Sequence, residues 1–199
     1  MQTYNKKDGL YIQAWEYTDN KELYIDKYQE RSKNTNYYSK EVYKLRKDWV
    51  ESKVDITKAF DYGAGIMPYY NQIPENNKPL GMYDPYVKPY NIFNRNDWLN
   101  SETLLLFDTI EHMYDPQSFL NIIPQNQLIM SLPCVPIKYF YHLDQIKDWK
   151  HYKPAEHLLY SNEEGIIDIL EDCGWTIIDS GEFEAPIRED ILCLFAKRK

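Results

Sequence analysis

The stretch Lys58-Ala59-Phe60-Asp61-Tyr62-Gly63-Ala64-Gly65 constrains this chain more than any other. It reads as a short strand that ends in a D-x-G-x-G turn and feeds a helix. Leu80-Gly81-Met82-Tyr83-Asp84-Pro85 answers it as the next strand, ending in an acid. Neighbouring parallel strands equipped in this way form the floor and clamp of a nucleoside site. The glycines let backbone approach a ligand with no Cβ in between. An ionised Asp84 can accept from both ribose hydroxyls, because a carboxylate is a pure acceptor with several lone-pair sites.

The rest of the chain alternates helix and strand around this pair. Residues 21–31 read as a helix with Tyr24 and Tyr28 on one face, followed by a polar linker over 32–38. Ser39 is placed to cap a second helix carrying Val42, Leu45 and Trp49. Residues 1–55 are thus expected to form a helical cap on an α/β core spanning 56–199. Strands are expected at 56–61, 78–84 and 90–93, with a short helix after Gly65 bounded by Pro68 and Pro74. Thr103 to Asp108 contains Leu104-Leu105-Leu106-Phe107, the continuous apolar run of a central strand buried on both faces. Asp115-Pro116 opens a helix through Phe119, Leu120 and Ile123, and residues 127–132 form the next strand.

An aromatic-rich insert follows at about 134–154. Ser161-Asn162-Glu163-Glu164 reads as a capping box for a helix that Gly174 ends. Strands over 176–179 and 191–196 complete the chain as an antiparallel pair at the sheet edge. The fold class is α/β: a Rossmann-like, open, mainly parallel sheet with an antiparallel C-terminal edge strand and an N-terminal helical layer.

Charge narrows the partners. With 23 Lys and Arg against 31 Asp and Glu, the 199-residue chain carries a formal charge of −8. A nucleic-acid partner is disfavoured, since binding phosphates draws on a basic face. Lys40, Lys44, Arg46 and Lys47 form a local basic group that reads as a solvated helix face. Cys134, Cys173 and Cys193 are odd in number and widely spaced, which favours thiols in a reducing compartment. There is no apolar run of membrane-spanning length and no signal-peptide core, so the expectation is a soluble, cytoplasmic protein.

Ligands of such sheets bind at the carboxyl ends of the strands. The third glycine of a dinucleotide G-x-G-x-x-G is replaced by Pro68, and no G-K-[ST] follows the turn. Asp61 directly before the turn repels a pyrophosphate but tolerates a cationic, zwitterionic ligand. The order Asp61-Tyr-Gly63-Ala-Gly65, then Asp84, then Asp108-Thr-Ile-Glu111-His112-Met-Tyr-Asp-Pro116 resembles the class I S-adenosylmethionine-dependent methyltransferases. It is most similar to the small-molecule branch that includes the ubiquinone-biosynthesis O-methyltransferases. The similarity runs over residues 56–197 and includes His157-Leu-Leu-Tyr160-Ser161 and Gly174-Trp175.

The resemblance implies S-adenosylmethionine as cofactor, S-adenosylhomocysteine as product and methyl transfer to a small-molecule acceptor, at oxygen as the first expectation, with nitrogen and carbon left open. By position, Asp61 and the turn Tyr62, Gly63, Ala64 and Gly65 pack against the methionine part. Asp84 takes the ribose hydroxyls, Pro85 touches the adenine, and Asp97 accepts from its amino group. Phe107 and Asp108 line the opposite side. His112 and His157 are the candidate catalytic bases, since a histidine near neutral pKa can take a proton from the acceptor. In the ubiquinone-type relatives the acid-x-x-Glu-His stretch is associated with metal, so the resemblance leaves open a weak divalent site at Asp108, Glu111 and His112, although no metal is expected. Two rival readings stay open: an RNA or protein methyltransferase, and a non-catalytic binding or assembly subunit on the same fold. The sequence leaves the oligomeric state open.

Overall fold

The computed structural model describes residues 2–6, 9–13, 26, 40–65, 78–87, 90–140, 142–154 and 156–199. In chain order the described strands are β1 (Gln2–Lys6), β2 (Gly9–Gln13), β3 (Ala59–Tyr62), β4 (Gly81–Tyr83), β5 (Thr103–Phe107), β6 (Gln127–Pro133), β7 (Leu159–Ser161), β8 (Trp175–Gly181) and β9 (Ile191–Arg198). The described helices are α1 (Lys40–Glu51), α2 (Arg95–Asn100), α3 (Pro116–Ile122), α4 (Ile137–Phe140) and α5 (Glu163–Asp172).

Every residue of β5 is buried, as its unbroken apolar run requires. The strand lies inside a six-stranded sheet of order β4-β3-β5-β6-β9-β8. The pairs from β4 through β6 are parallel, and β9 is antiparallel to both β6 and β8. The expected C-terminal antiparallel pair is present. Its antiparallel member β9 sits one place inside the edge, which β8 occupies.

Alternation along the strands divides the apolar side chains between two layers. Leu104, Leu106, Leu128 and Met130 face α3 and α5 together with Phe60, Leu120, Ile166, Leu170 and Trp175. Leu105, Phe107 and Ile129 face the other way, with Tyr43, Trp49 and Val50 of α1 and with Phe195. At the C-terminus Arg198 reaches back to donate to the carbonyls of Leu120, Ile123 and Cys173, closing the ends of α3 and α5. No described helix is long and apolar enough to cross a membrane.

Several local expectations shift. Residues 2–6 and 9–13 are antiparallel strands rather than helix, and β2 pairs with β7 to make a second, three-stranded sheet. Among the described residues the long helix of the N-terminal layer is α1. The expected helix over 21–31 (Asp26 apart, which is helical), the linker 32–38, Ser39 and the helix after Gly65 lie outside the described residues. Residues 56–58 are a 3-10 turn capped by Asp55, so β3 starts only at Ala59. No strand forms over residues 90–93; Tyr90 is in a turn whose carbonyl accepts the Asp84 N–H at 2.9 Å. A parallel crossover needs about a dozen residues, more than separate Asp84 from Asn94. Asn162, not Ser161, caps α5 by accepting the Gly165 N–H, because Ser161 is used by β7.

The insert at 134–154 builds its own core. Val135, Ile146, Trp149 and Tyr160 are buried together, with Tyr139 and Tyr152 against them.

Gly81 is a point of close approach. A Cβ there would lie 2.7 Å from Asp97 Cβ and 2.8 Å from the Phe60 ring. Gly81→Ala is therefore expected to cost about 1–3 kcal/mol through overpacking, measured by urea unfolding. An unchanged midpoint would show that α2 moves aside without cost.

Candidate functional site

The carboxyl ends of β3, β4 and β5 meet through backbone hydrogen bonds. After β3 the chain turns at Gly63 and Gly65, both with positive φ (81° and 68°). The N–H groups of Gly63 and Ala64 donate to the Tyr83 carbonyl at 2.8 and 3.1 Å. The Gly65 N–H donates to Asp84 Oδ2 at 2.9 Å, and the Tyr86 N–H to Asp84 Oδ1 at the same distance. Asp84 thus anchors the turn through both oxygens, and a carboxylate has acceptor capacity beyond these contacts for a further donor. Burial raises its carboxyl above the usual range, and the three backbone N–H groups of Tyr86, Gly65 and Val87 oppose that.

From the third side, Thr109 packs onto Gly63. A Cβ on Gly63 would fall 2.3 Å from Thr109 Oγ1, whereas a Cβ on Gly65 would meet nothing within 4 Å among the described residues. Gly63 is required by both its conformation and its neighbour, Gly65 by conformation alone.

The other expected cofactor residues divide. Asp61 is buried in β3, and Pro85 is exposed in the turn after β4. Tyr62 turns its ring into an aromatic cluster, with Phe119, Tyr83 and Trp98 at 5.1, 5.3 and 5.8 Å, so only its backbone belongs to the turn. Asp97 does not reach the strand ends. It occupies the first turn of α2, against Gly81, at the start of β4. Asp84 is three residues further along, about 10 Å at strand rise. The absent third strand is the reason: no loop exists at its carboxyl end to carry an acid to an adenine.

Asp108 is committed elsewhere. Its φ is +49°, and its carboxylate accepts from Arg188 at 2.8 and 2.9 Å and from Arg46 at 2.6 Å. Arg46 also donates to Glu184 at 2.6 Å, and Arg188 to Glu184 at 2.7 Å. Burial alone would raise the Asp108 carboxyl, yet Arg188 and Arg46 outweigh it and hold the group well below the carboxylate range. The Arg46 guanidinium lies 4.8 Å from the centre of the Phe107 ring. Both Asp108 and Phe107 are therefore covered by Arg46 from α1. Arg46 itself is 6% exposed, so it leaves the solvated basic face to Lys44 and Lys47. Sequence reasoning missed Arg46, Glu184 and Arg188. For Arg46 the signal was present: it stands four residues after Val42 and four before Val50, on the apolar face of the helix.

Beyond Asp108 the chain makes a 3-10 turn, Ile110–His112, and the expected histidines come together there. The rings of His112 and His157 meet edge to face at 4.9 Å. His112 Nδ1 lies 2.8 Å from the Glu156 carbonyl, which can only accept, so Nδ1 carries the proton and Nε2 the lone pair. Nε2 is 4.0 Å from Glu111 Oε1. Burial and the Asp108 charge push the Glu111 carboxyl well above its usual range. Burial lowers His112, and burial with the neighbouring His112 lowers His157 to about 3. Burial thus disfavours the charged form of all three groups, and the His157 ring is buried too deeply to act as a simple solvent-linked base.

Two outcomes follow from this geometry. Gly63→Ala is expected to destabilise the protein by about 1–3 kcal/mol through strain and the Thr109 clash, and Gly65→Ala by less, since only φ opposes it. Equal losses in urea unfolding would contradict the Thr109 contact. Asp108→Asn is expected to cost about 3–5 kcal/mol, because it leaves buried arginines uncompensated. Since Asp108's folded-state pKa is depressed, its contribution is present above about pH 4 and lost as pH falls below that. Acid unfolding curves of wild type should show this slope, and those of the variant should not.

No family model matches the chain, and no curated protein does. Solved structures do. A Burkholderia thailandensis 1,6-didemethyltoxoflavin-N1-methyltransferase, with bound 1,6-didemethyltoxoflavin and S-adenosylhomocysteine, aligns over 100% of both chains at TM-score 0.62 and 10% identity. A putative methyltransferase of Haloferax volcanii, in complex with the Trm112 methyltransferase activator, aligns over 90% of this chain and 96% of its own, at 0.58 and 7%. A Mesorhizobium loti S-adenosylmethionine-dependent methyltransferase aligns over 80% of this chain and 98% of its own, at 0.54 and 10%. By strand order, by the turn after β3 and by these likenesses, the chain has the Rossmann-like fold of the class I S-adenosylmethionine-dependent methyltransferases.

Proposed function

We propose that this protein methylates a small-molecule acceptor at oxygen, using S-adenosylmethionine. The observation that carries this reading is the joint at Gly63, Gly65 and Asp84, set beside the cluster of Glu111, His112 and His157. The residues fit the cofactor. Among the described residues nothing stands where a Cβ on Gly65 would lie, and Asp84 retains acceptor capacity at the adjoining strand end. When bound, the sulfonium supplies an already activated methyl group. The protein's part is to bind, orient and exclude water, which can account for much of the acceleration.

In this reading Asp84 holds the ribose hydroxyls, and the turn from Gly63 to Gly65 presents backbone to the methionine part. Thr109 fixes that turn, and the Glu111–His112–His157 cluster receives the acceptor's heteroatom. We assign the acceptor side to the small sheet of β1, β2 and β7, to α1 and to the insert that follows β6. Support for a small-molecule acceptor, but not for oxygen over nitrogen, comes from the Burkholderia N1-methyltransferase, whose structure contains 1,6-didemethyltoxoflavin and S-adenosylhomocysteine. A formal charge of −8 argues against an RNA acceptor. The three cysteines are unpaired, in keeping with a reducing, cytoplasmic setting.

A thermal-shift titration with S-adenosylhomocysteine checks the reading. At about 100 times Kd, binding adds about 2.7 kcal/mol, or roughly 5–11 °C in Tm at this chain length. Asp84→Ala should lose most of that shift. A folded wild type that does not respond would refute cofactor binding and favour a non-catalytic role.

A further inference from the structure

The cluster at the 3-10 turn has a donor set that acid–base catalysis alone does not use. One ligand atom each from Glu111, His112 and His157 lie within 4.8 Å of one another. Glu111 is 1% exposed and His157 4% exposed. Among the described residues Glu111 Oε2 and His157 Nδ1 have no hydrogen-bond partner, a costly state for buried polar atoms. His112 is held in one tautomer by its Nδ1 contact with the Glu156 carbonyl. Metal-bound histidines are typically oriented in this way, by a carbonyl on the nitrogen that does not face the metal. The Leu158 N–H donates to the Glu111 carbonyl at 2.7 Å, which ties the segment carrying His157 to the turn carrying the other two.

We propose that Glu111, His112 and His157 form a site for a first-row divalent cation, of which Zn2+ is the representative, and that the acceptor's oxygen completes its coordination. Two imidazoles and one carboxylate are the donors of borderline cations, not of Mg2+ or Ca2+, which prefer oxygen throughout. Asp108, the acid expected at such a site, is excluded because Arg46 and Arg188 occupy both its oxygens. His157 takes its place, and with it the preference moves from hard to borderline metal. Three protein ligands leave at least one coordination position open, the arrangement of catalytic rather than structural sites.

The chemistry rests on the methyl-transfer reading. An acceptor hydroxyl bound to the cation loses its proton to solvent near neutral pH. Its oxygen then forms the bond to the sulfonium methyl as the carbon–sulfur bond breaks. The products are a methyl ether, S-adenosylhomocysteine and one proton. The acceptor class is accordingly a small hydroxylated molecule, phenolic or enolic, able to bind a cation through oxygen.

The test uses untagged, full-length protein stripped of metal, titrated separately with Zn2+, with Co2+ and with S-adenosylhomocysteine. One Zn2+ retained per chain after desalting, and a visible Co2+ spectrum of reduced symmetry, are expected. Glu111→Gln and His157→Ala should each weaken Zn2+ by more than about 100-fold, beyond the loss typical of outer-sphere changes. Their S-adenosylhomocysteine thermal shift should survive, which shows that they fold. Asp108→Asn should retain Zn2+. Wild type without stoichiometric metal would overturn the proposal, as would zinc binding that depends on Asp108 and ignores His157. A normal S-adenosylhomocysteine shift without metal would sink the site and spare the methyl-transfer reading. Metal without that shift would keep the site and remove the chemistry assigned to it.

Discussion

The buried charge cluster of Arg46, Asp108, Glu184 and Arg188 holds the site-bearing end of the sheet together. It is neutral overall, two cations against two anions, and each carboxylate accepts from both arginines. Buried charges taken singly are costly, and they are tolerated when paired with good geometry. Asp108 in turn sits at positive φ, an uncommon conformation for a residue with a side chain. That conformation redirects the chain from β5 into the 3-10 turn carrying Glu111 and His112. The same pairing fastens α1 and the loop before β9 over Phe107. An N-terminal helix, a C-terminal loop and the central strand are thereby fixed to one another at the strand end.

Above that anchor the two halves of the site have different physics. The turn after β3 is a backbone object: N–H groups of Gly63, Ala64 and Gly65 are spent on Tyr83 and Asp84, and Thr109 closes the space over Gly63. The Glu111–His112–His157 cluster is a side-chain object in a region where burial disfavours the charged form of each group. One half suits a ligand recognised by hydroxyls and close backbone approach. The other suits something that satisfies buried polar atoms.

Much of this was legible in the residues. The run Leu104 to Phe107 specifies a strand covered on both faces, and the glycines after Asp61 specify a turn with positive φ. The pairing of that turn with Asp84 also follows from local order, because adjacent parallel strands end side by side. The aromatics of the insert were less legible. Nothing in local spacing pairs Trp149 of the insert with Tyr160 of β7, and the two bury a satellite core together.

The sequence by itself determined the alternating α/β order, the central strand, the two carboxyl-end signals and the proximity of Glu111 to His112, since all of these are set by periodicity and short-range spacing. Tertiary structure decided the rest. Asp97 faces the start of β4 because the connection there is too short for a further strand. Asp108 is an ion-pair partner because Arg46 and Arg188, distant in the chain, converge on it, and no local pattern encodes a contact across that separation. His157 joins His112 because β7 returns beside the turn after β5. Sequence spacing states which residue types are available; only packing states which of them share a point in space.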